Sequence, residues 1–315
     1  MKKVLIILLL LLLLVNVYKK RNIECNYNEY KIATGKDFLN NKKVAFCGLI
    51  RDGEERIEGS IKEIEKIGSY FKDWKLLIVE NDSKDNTRKI LLDYNKKNNR
   101  VKVLGCNGIN LNECKLNTLA TTSHNTTHYR INKMSMLRNI YLDELRKDIY
   151  NDIDYVIVWD FDLVGSVNIE GFLSSFYELK TNDTINAVCA NGIRNIDLLP
   201  FLTAETVKKE VGVPLYVYYD TYAYRNFEDK SNVINNKWYY DILYSIPSGY
   251  STDNLKKVKS CFGGFTIYRR DAILKSSYIT YSDENGLPVC EHQGLNERIN
   301  GVYHNNELLY LIYKN

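Results

Sequence analysis

The sequence predicts an α/β fold, a mostly parallel sheet flanked by helices. Three observations predict it. Short apolar runs alternate with segments whose apolar residues recur at helical spacing. The runs are nearly continuous in apolar character, as strands buried on both faces are. Acidic and amide-rich loops follow the carboxyl ends of two of the runs, where open α/β sheets bind ligands.

Residues 44–50 form the first run and read as a strand. Ile57, Ile61, Ile64, Ile67 and Phe71 then recur at the spacing of an amphipathic helix. Residues 75–79 read as the second strand, 86–94 as a helix and 101–104 as the third strand. A polar loop over 105–128 precedes a helix over 134–145. The fourth and most apolar strand, 154–159, ends in Asp160-Phe161-Asp162. A helix over about 169–179 leads to a strand over 185–190. Across 196–260 the rhythm fades in a Tyr-rich stretch broken by Pro200, Pro214 and Pro247. Order returns with an apolar run over 260–268 and a helix over 270–275. There is no internal repeat and no Gly/Ser linker, so one catalytic-sized domain is expected.

Composition narrows the function classes. With 45% hydrophobic and 26% charged residues over 315 positions, a large buried core is expected and wholesale disorder is not. The net charge of +4 is spread along the chain among Asp and Glu, so no basic stripe for nucleic acid is formed. Residues 1–21 stand apart: Met1-Lys2-Lys3, an apolar run from Val4, then Lys19-Lys20-Arg21. The run is short for a spanning helix, which leaves a cleavable signal peptide open. No small-residue cleavage site follows it, which favours a retained single-pass anchor. Residues 22–41 then read as a short stem. Of the seven cysteines, Cys106 and Cys114 flank a polar loop and suit a local disulfide, whereas Cys47 and Cys189 suit buried thiols within strands. Asn125-Thr126-Thr127 and Asn182-Asp183-Thr184 are glycosylation sequons.

Two loops carry candidate chemistry. Glu80-Asn81-Asp82-Ser83-Lys84-Asp85-Asn86-Thr87 leaves a strand and enters a helix. Its acidic and amide groups suit a nucleobase edge and ribose hydroxyls, and Ser83 or Asp85 equally suits a helix cap. Asp160-Phe161-Asp162 places two carboxylates two residues apart, so they point the same way and can reach one cation. A hard cation would neutralise a diphosphate leaving group. Between them Arg138, near the start of a helix, presents a guanidinium suited to phosphate. Strand-terminal Asp-x-Asp also serves as ordinary capping, and an Arg on an amphipathic helix is often a surface residue.

The order of these elements resembles a known group. Glu-Asn-Asp-Ser-x-Asp-x-Thr, then Arg138-Asn139, then Asp160-x-Asp162 resembles the nucleotide-sugar elements of GT-A glycosyltransferases. Gly48-Leu49-Ile50-Arg51-Asp52, Ser260-Cys261-Phe262-Gly263-Gly264-Phe265 and Cys290-Glu291-His292 make the chain most similar to the fungal capsule-associated mannosyltransferase family and its viral and protist relatives. The resemblance covers roughly residues 43–300. It implies a Rossmann-like GT-A domain over 42–315, with a nucleotide-binding half (42–195) and an acceptor half (196–315). It further implies that Arg51, Glu80, Asn81, Asp82, Arg138 and Asp160 contact the nucleotide and that Asp160 and Asp162 bind Mn²⁺ or Mg²⁺. Gly263 and Gly264 would let backbone approach the donor, Glu291 and His292 would lie near the reacting sugar, and His304 would be a further metal ligand. The activity implied is transfer of a hexose from GDP-mannose or a UDP-sugar to a glycan or glycoprotein acceptor. With the anchor, this implies a type II membrane protein whose catalytic domain lies in the secretory lumen.

Two other readings stay open. The apolar strand ending in Asp160-x-Asp162 fits the opening of a haloacid-dehalogenase-type phosphatase, although about half the chain precedes it and Ser282-Asp283-Glu284 is a poor match for the later metal loop. A non-catalytic sugar-nucleotide-binding membrane protein is the other. A nicotinamide-dependent oxidoreductase is disfavoured, because no Gly-x-Gly-x-x-Gly occurs.

Overall fold

The computed structural model describes residues 27–105, 127–195, 216–227 and 255–314. The elements are α1 (Glu29–Leu39), β1 (Lys43–Ile50), α2 (Ile57–Gly68), β2 (Asp73–Glu80), α3 (Thr87–Lys97), β3 (Val101–Leu104), α4 (His128–Leu145), β4 (Tyr155–Trp159), β5 (Val164–Val167) and α5 (Ile169–Thr181). They continue with β6 (Ala187–Asn195), β7 (Tyr216–Tyr218), β8 (Leu255–Val258), β9 (Phe265–Arg269), α6 (Arg270–Leu274), α7 (Glu291–Ile299) and β10 (Val302–Lys314).

All the described strands join one sheet, ordered β3-β2-β1-β4-β9-β6-β10-β5, with β7 beside β6 and β8 beside β10. The first four strands are parallel, as the alternating pattern predicts. From β4 onward the sheet is mixed: β9 runs antiparallel to both β4 and β6, and β10 is parallel to β6 but antiparallel to β5 and β8. The expected mostly parallel sheet is therefore correct for one half only. Alternate residues of β1 enter opposite cores, Val44 and Phe46 on one face and Ala45 and Cys47 on the other. That two-residue period, with both faces buried, is why the strand reads as a continuous apolar run.

The segment expected as a stem is part of the domain. Asn28 caps α1 by accepting from the amides of Tyr30 and Lys31. Lys31 pairs with Glu178 at 2.6 Å, and a Cβ on Gly35 would stand 2.0 Å from the Leu173 carbonyl, so α1 lies directly on α5. The helix over 134–145 begins earlier than expected, at His128, because Thr127 accepts from the Arg130 amide and starts the first turn there. Cys189 is not a free thiol: it is bonded to Cys261 across 72 residues, joining β6 to the loop before β9. Among the described residues no helix is long and apolar enough to cross a membrane. The run 1–21, Cys106, Cys114 and the Asn125 sequon lie outside the described residues.

Candidate active site

The carboxyl ends of β1, β2 and β4 open onto a cleft of about 530 Å³. Its first wall is made by the loops after β1 and β2. Asn81 N–H donates to the Ile50 carbonyl, tying the loop origins together. The loops then bond each other repeatedly: the Asp52 amide to Ser83 Oγ at 3.0 Å, the Lys84 amide to Asp52 Oδ1 at 2.7 Å, and the Gly53 amide to Thr87 Oγ1 at 2.8 Å. The Glu54 amide donates to Asp85 Oδ2 at 3.0 Å, while Asp85 Oδ1 takes the Thr87 amide. The N-cap position of α3 is Asn86, which makes no side-chain cap bond; Asp85, one residue earlier, receives the Thr87 amide instead. Asp52 and Asp82 hold positive φ, which costs a non-glycine residue free energy and is maintained here by the cross-loop bonds.

Arg51, Asp52 and Asn81 line the cleft, together with Lys133 from α4. Arg51 Nε lies 3.3 Å from Asp52. Lys133 is nearly buried, and burial together with the charge of Arg51 holds its ammonium pKa below the usual lysine range. Glu80 turns away: its carboxylate accepts from the Ser83 amide at 2.6 Å and from Arg88 at 2.8 Å, at 1% exposure. It shapes the loop and is not among the lining residues.

The floor carries the paired carboxylates. β4 ends at Trp159, so Asp160-Phe161-Asp162 is a turn beyond the strand. Phe161 drops into the core beneath Gly48, and both aspartates face the cleft. The Asp160 amide donates to the Gly264 carbonyl at 3.0 Å. Gly263 and Gly264 both have φ in the left-handed region, and a Cβ on Gly263 would meet the Ala190 carbonyl at 2.1 Å, so glycine is required where this loop crosses β6. These glycines support the floor and do not line the cleft. Asp160 is held at both oxygens: Arg138 Nη2 at 3.3 Å from Oδ1 and the Tyr219 hydroxyl at 3.1 Å from Oδ2. Desolvation raises the pKa of the Asp160 carboxyl, with the neighbouring Asp162 adding to the rise and Arg138 opposing it.

A divalent ion fits these two groups. Two carboxylates under mutual repulsion on a cleft floor are stabilised by a hard cation, and a cation with two protein ligands leaves positions for phosphate oxygens and water. No cluster of three or more His, Cys, Asp or Glu side chains suited to a metal occurs among the described residues. His304 is elsewhere. It sits on β10 opposite Cys189 and Lys256, edge-on to the rings of Tyr218 and Tyr224, and burial beside Lys256 pushes its pKa down to about 4. The expected third ligand is thus a core histidine.

The second wall comes from Tyr219–Tyr222, Phe262 and the start of α7. Arg138, 3% exposed, crosses from Asp160 to Glu291, whose Oε1 lies 3.1 Å from its Nε. Arg138, expected to contact the nucleotide, lines the cleft and also bridges floor and wall; it is not the surface residue of the alternative reading. His292 stacks on Phe262 with ring centroids 3.8 Å apart and meets Tyr278 edge-on at 5.5 Å. Tyr219, Asp220, Tyr222, Arg130 and Lys133 were not singled out by the sequence. The tyrosines and Asp220 belong to the stretch without periodicity, and Arg130 and Lys133 lie where α4 was not expected to extend. Asp283 of the phosphatase reading accepts from the amides of Asn285 and Leu287 within its own turn and is not a cleft residue.

Solved structures with a similar course include S. aureus TarS residues 1–349 (TM-score 0.43, 13% identity, 86% of this chain and 60% of that one). They also include the Pyrobaculum calidifontis mannosyltransferase PcManGT, solved with GDP-Man and Mn²⁺ (0.47, 10%, 95% and 64%), and GalNAc-T7 with UDP, GalNAc and Mn²⁺ (0.46, 11%, 87% and 44%). The chain thus spans less than two thirds of each of these structures. No curated protein matches it. The profile of one family does, over residues 59–294, and the chain belongs to that glycosyltransferase family, described as Cryptococcal mannosyltransferase 1.

Proposed function

We propose that this protein is a metal-dependent GT-A hexosyltransferase that moves a sugar from a nucleotide donor, GDP-mannose first among them, to a glycan or glycoprotein acceptor. The observation that carries the reading is the Asp160–Asp162 pair on the cleft floor, two carboxyls that both line the cleft beside the polar groups of Arg51, Asn81 and Lys133. Asp162 would hold Mn²⁺ or Mg²⁺ together with Asp160, and the ion would neutralise charge developing on the diphosphate as the glycosidic bond breaks. Arg51, Asn81 and Lys133 receive the nucleoside and its ribose. Arg138 and the Tyr219 hydroxyl fix the Asp160 carboxylate, so it does not have to reorganise when the donor arrives. Glu291 is anchored at Oε1 by Arg138. Should transfer invert the anomeric centre, its other oxygen is the group placed to take the acceptor proton.

The apolar run 1–21 supports a type II anchor with the catalytic domain in the secretory lumen. The Cys189–Cys261 disulfide suits the same oxidising compartment.

The test follows release of nucleoside diphosphate from GDP- and UDP-sugars, with Mn²⁺ and with EDTA, using protein that starts near residue 22. Release from one donor that needs the metal, and that falls about a thousandfold in Asp162→Asn without loss of thermal stability, is the expected result. An Asp162→Asn variant with full metal-dependent turnover would remove the floor from the mechanism. Phosphatase activity on a chromogenic ester without donor binding would replace the reading altogether.

A further inference from the structure

Three tripeptides of the form Asn-x-Ser/Thr, with no proline between, occur in the chain: Asn81-Asp82-Ser83, Asn125-Thr126-Thr127 and Asn182-Asp183-Thr184. A folded protein carries an N-linked glycan on such a tripeptide only where a bulky, hydrophilic group has room at the surface. The structure separates the two that lie among the described residues. Asn81 is 8% exposed and lines the cleft, and its amide donates to the Ile50 carbonyl. Asp82 holds positive φ, and Ser83 Oγ takes the Asp52 amide. A glycan there would fill one wall of the cleft and break the bonds between its loops.

Asn182 is the opposite case. It follows the last residue of α5, and residues 181–184 are all exposed, the Asp183 side chain completely. The backbone is extended and pinned. The Asn182 amide donates to the Glu178 carbonyl at 3.0 Å, and Arg269 Nη2 donates to the Asn182 carbonyl at 3.3 Å. Thr184 fixes the side chain, because its amide and its hydroxyl both donate to Asn182 Oδ1, at 3.0 and 2.7 Å. Both bonds use the carboxamide oxygen. Nδ2, the atom to which a glycan is attached, donates to no group among the described residues.

The place of this loop in the sheet decides what a glycan would obstruct. Arg269, which holds Asn182, is paired with Tyr155, the first residue of β4, whereas the cleft floor follows Trp159, the last. The two ends of that strand are about 13 Å apart at about 3.3 Å per residue. β6, which this loop enters, runs the same way as β4, since both are antiparallel to β9. A glycan on Asn182 therefore leaves from the edge opposite the cleft and keeps the cleft open. The Cys189–Cys261 disulfide points independently to the compartment in which such glycans are added.

Resting on the secretory-lumen reading above, we infer that Asn182 is an N-glycosylation site of this protein and that Asn81 is not. The transfer forms a bond from Asn182 Nδ2 to the anomeric carbon of an oligosaccharide. It breaks the bond from that carbon to a lipid-linked diphosphate, which departs with the electron pair, and the carboxamide gives up one proton. The co-reactant is a lipid-diphosphate-linked oligosaccharide of the same compartment.

The test expresses the full chain in cultured animal cells as wild type, Thr184→Ala and Thr184→Ser. Peptide N-glycosidase is applied in heavy-oxygen water, which marks every asparagine that carried a glycan for mass spectrometry. Cys189 and Cys261 are alkylated before and after reduction. The expected result is a mark at Asn182 and none at Asn81, with the Asn182 mark lost completely in Thr184→Ala and kept in Thr184→Ser. Affinity for the nucleoside diphosphate should be the same in Thr184→Ala as in wild type, because the site lies on the far edge. A disulfide-bonded wild type without the mark at Asn182 overturns the inference and leaves the lumenal reading standing. A wild type with no mark and with both cysteines as free thiols removes the lumenal reading and the site together. A mark at Asn81 in folded protein overturns the inference as well, since exposure would then not select the site.

Discussion

The two walls of the cleft are built on opposite plans. On the side of the loops after β1 and β2 most polar groups are already spent on one another. Asp52, Ser83, Asp85 and Thr87 accept amide hydrogens across two loops, and Glu80 is consumed by Ser83 and Arg88. On the opposite side neither ring nitrogen of His292 has a hydrogen-bond partner among the described residues. The difference teaches how such a site divides its labour. A wall whose groups satisfy each other is rigid before any ligand arrives, and it recognises by shape and by the few groups left at its edge. A wall with unsatisfied groups costs stability in the empty protein and regains it only when a ligand supplies the missing partners.

The comparison breaks first at Arg138, which belongs to both plans. Replacing it with Met removes the guanidinium that pairs with both Asp160 and Glu291. Two buried carboxylates then lose compensation, and a loss of about 3–5 kcal/mol in unfolding free energy is expected from urea titration. Adding Glu291→Gln to that variant should recover part of the loss. If the two changes are simply additive, the bridge is not a coupled unit.

His304 gives a second way to sharpen the contrast, because it is a buried histidine that does not line the cleft. Its folded pKa of about 4 lies below the usual histidine value of 6.5, so its contribution to stability is complete above pH 6.5. Between that pH and 4 the unfolded chain binds a proton that the native chain does not, and stability falls as the medium is acidified. Over that window the contribution lost is roughly 3 kcal/mol. The raised carboxyl of Asp160 works in the opposite direction, since its native form binds a proton more readily than the unfolded chain. Thermal melts of wild type and His304→Phe from pH 7 to pH 4 should therefore converge or cross. Parallel curves would show that His304 titrates normally.

The smallest expected effect tests the self-satisfied wall. Asp85→Ala removes the acceptor for the amides of Glu54 and Thr87 and for the Thr87 hydroxyl. A loss of about 1–2 kcal/mol is expected in the unfolding free energy, with weaker binding of nucleoside diphosphate. An unchanged unfolding free energy in Asp85→Ala would mean that the cross-loop bonds do not hold this wall together.

Legibility in the sequence follows the same division. The loops after β1 and β2 could be read because their chemistry is local: a strand, an acid-rich turn and a helix start lie within ten or so neighbouring residues, and Asp85 to Thr87 spans two. Asp160 and Asp162 could be placed at a strand end for the same reason. The destination of Arg138 could not be read, since its partner Glu291 is 153 residues away. Nor could that of His304, which looked like a ligand by type and proved to be packing for two tyrosines. Tyr219 gave no signal at all, because its segment has no periodicity to place it on an element.

By itself the sequence determined the parallel half of the sheet, β1 to β4, and the loops that open the cleft. Period-two burial on strands and period-3.6 burial on helices are written residue by residue, so no distant partner is needed to see them. The tertiary structure decided the antiparallel half, the Cys189–Cys261 link, the Arg138 bridge and the stack of His292 on Phe262. Each of these joins groups tens of residues or more apart, and a side chain's type specifies what it can bond but not which distant partner the folded chain will bring to it.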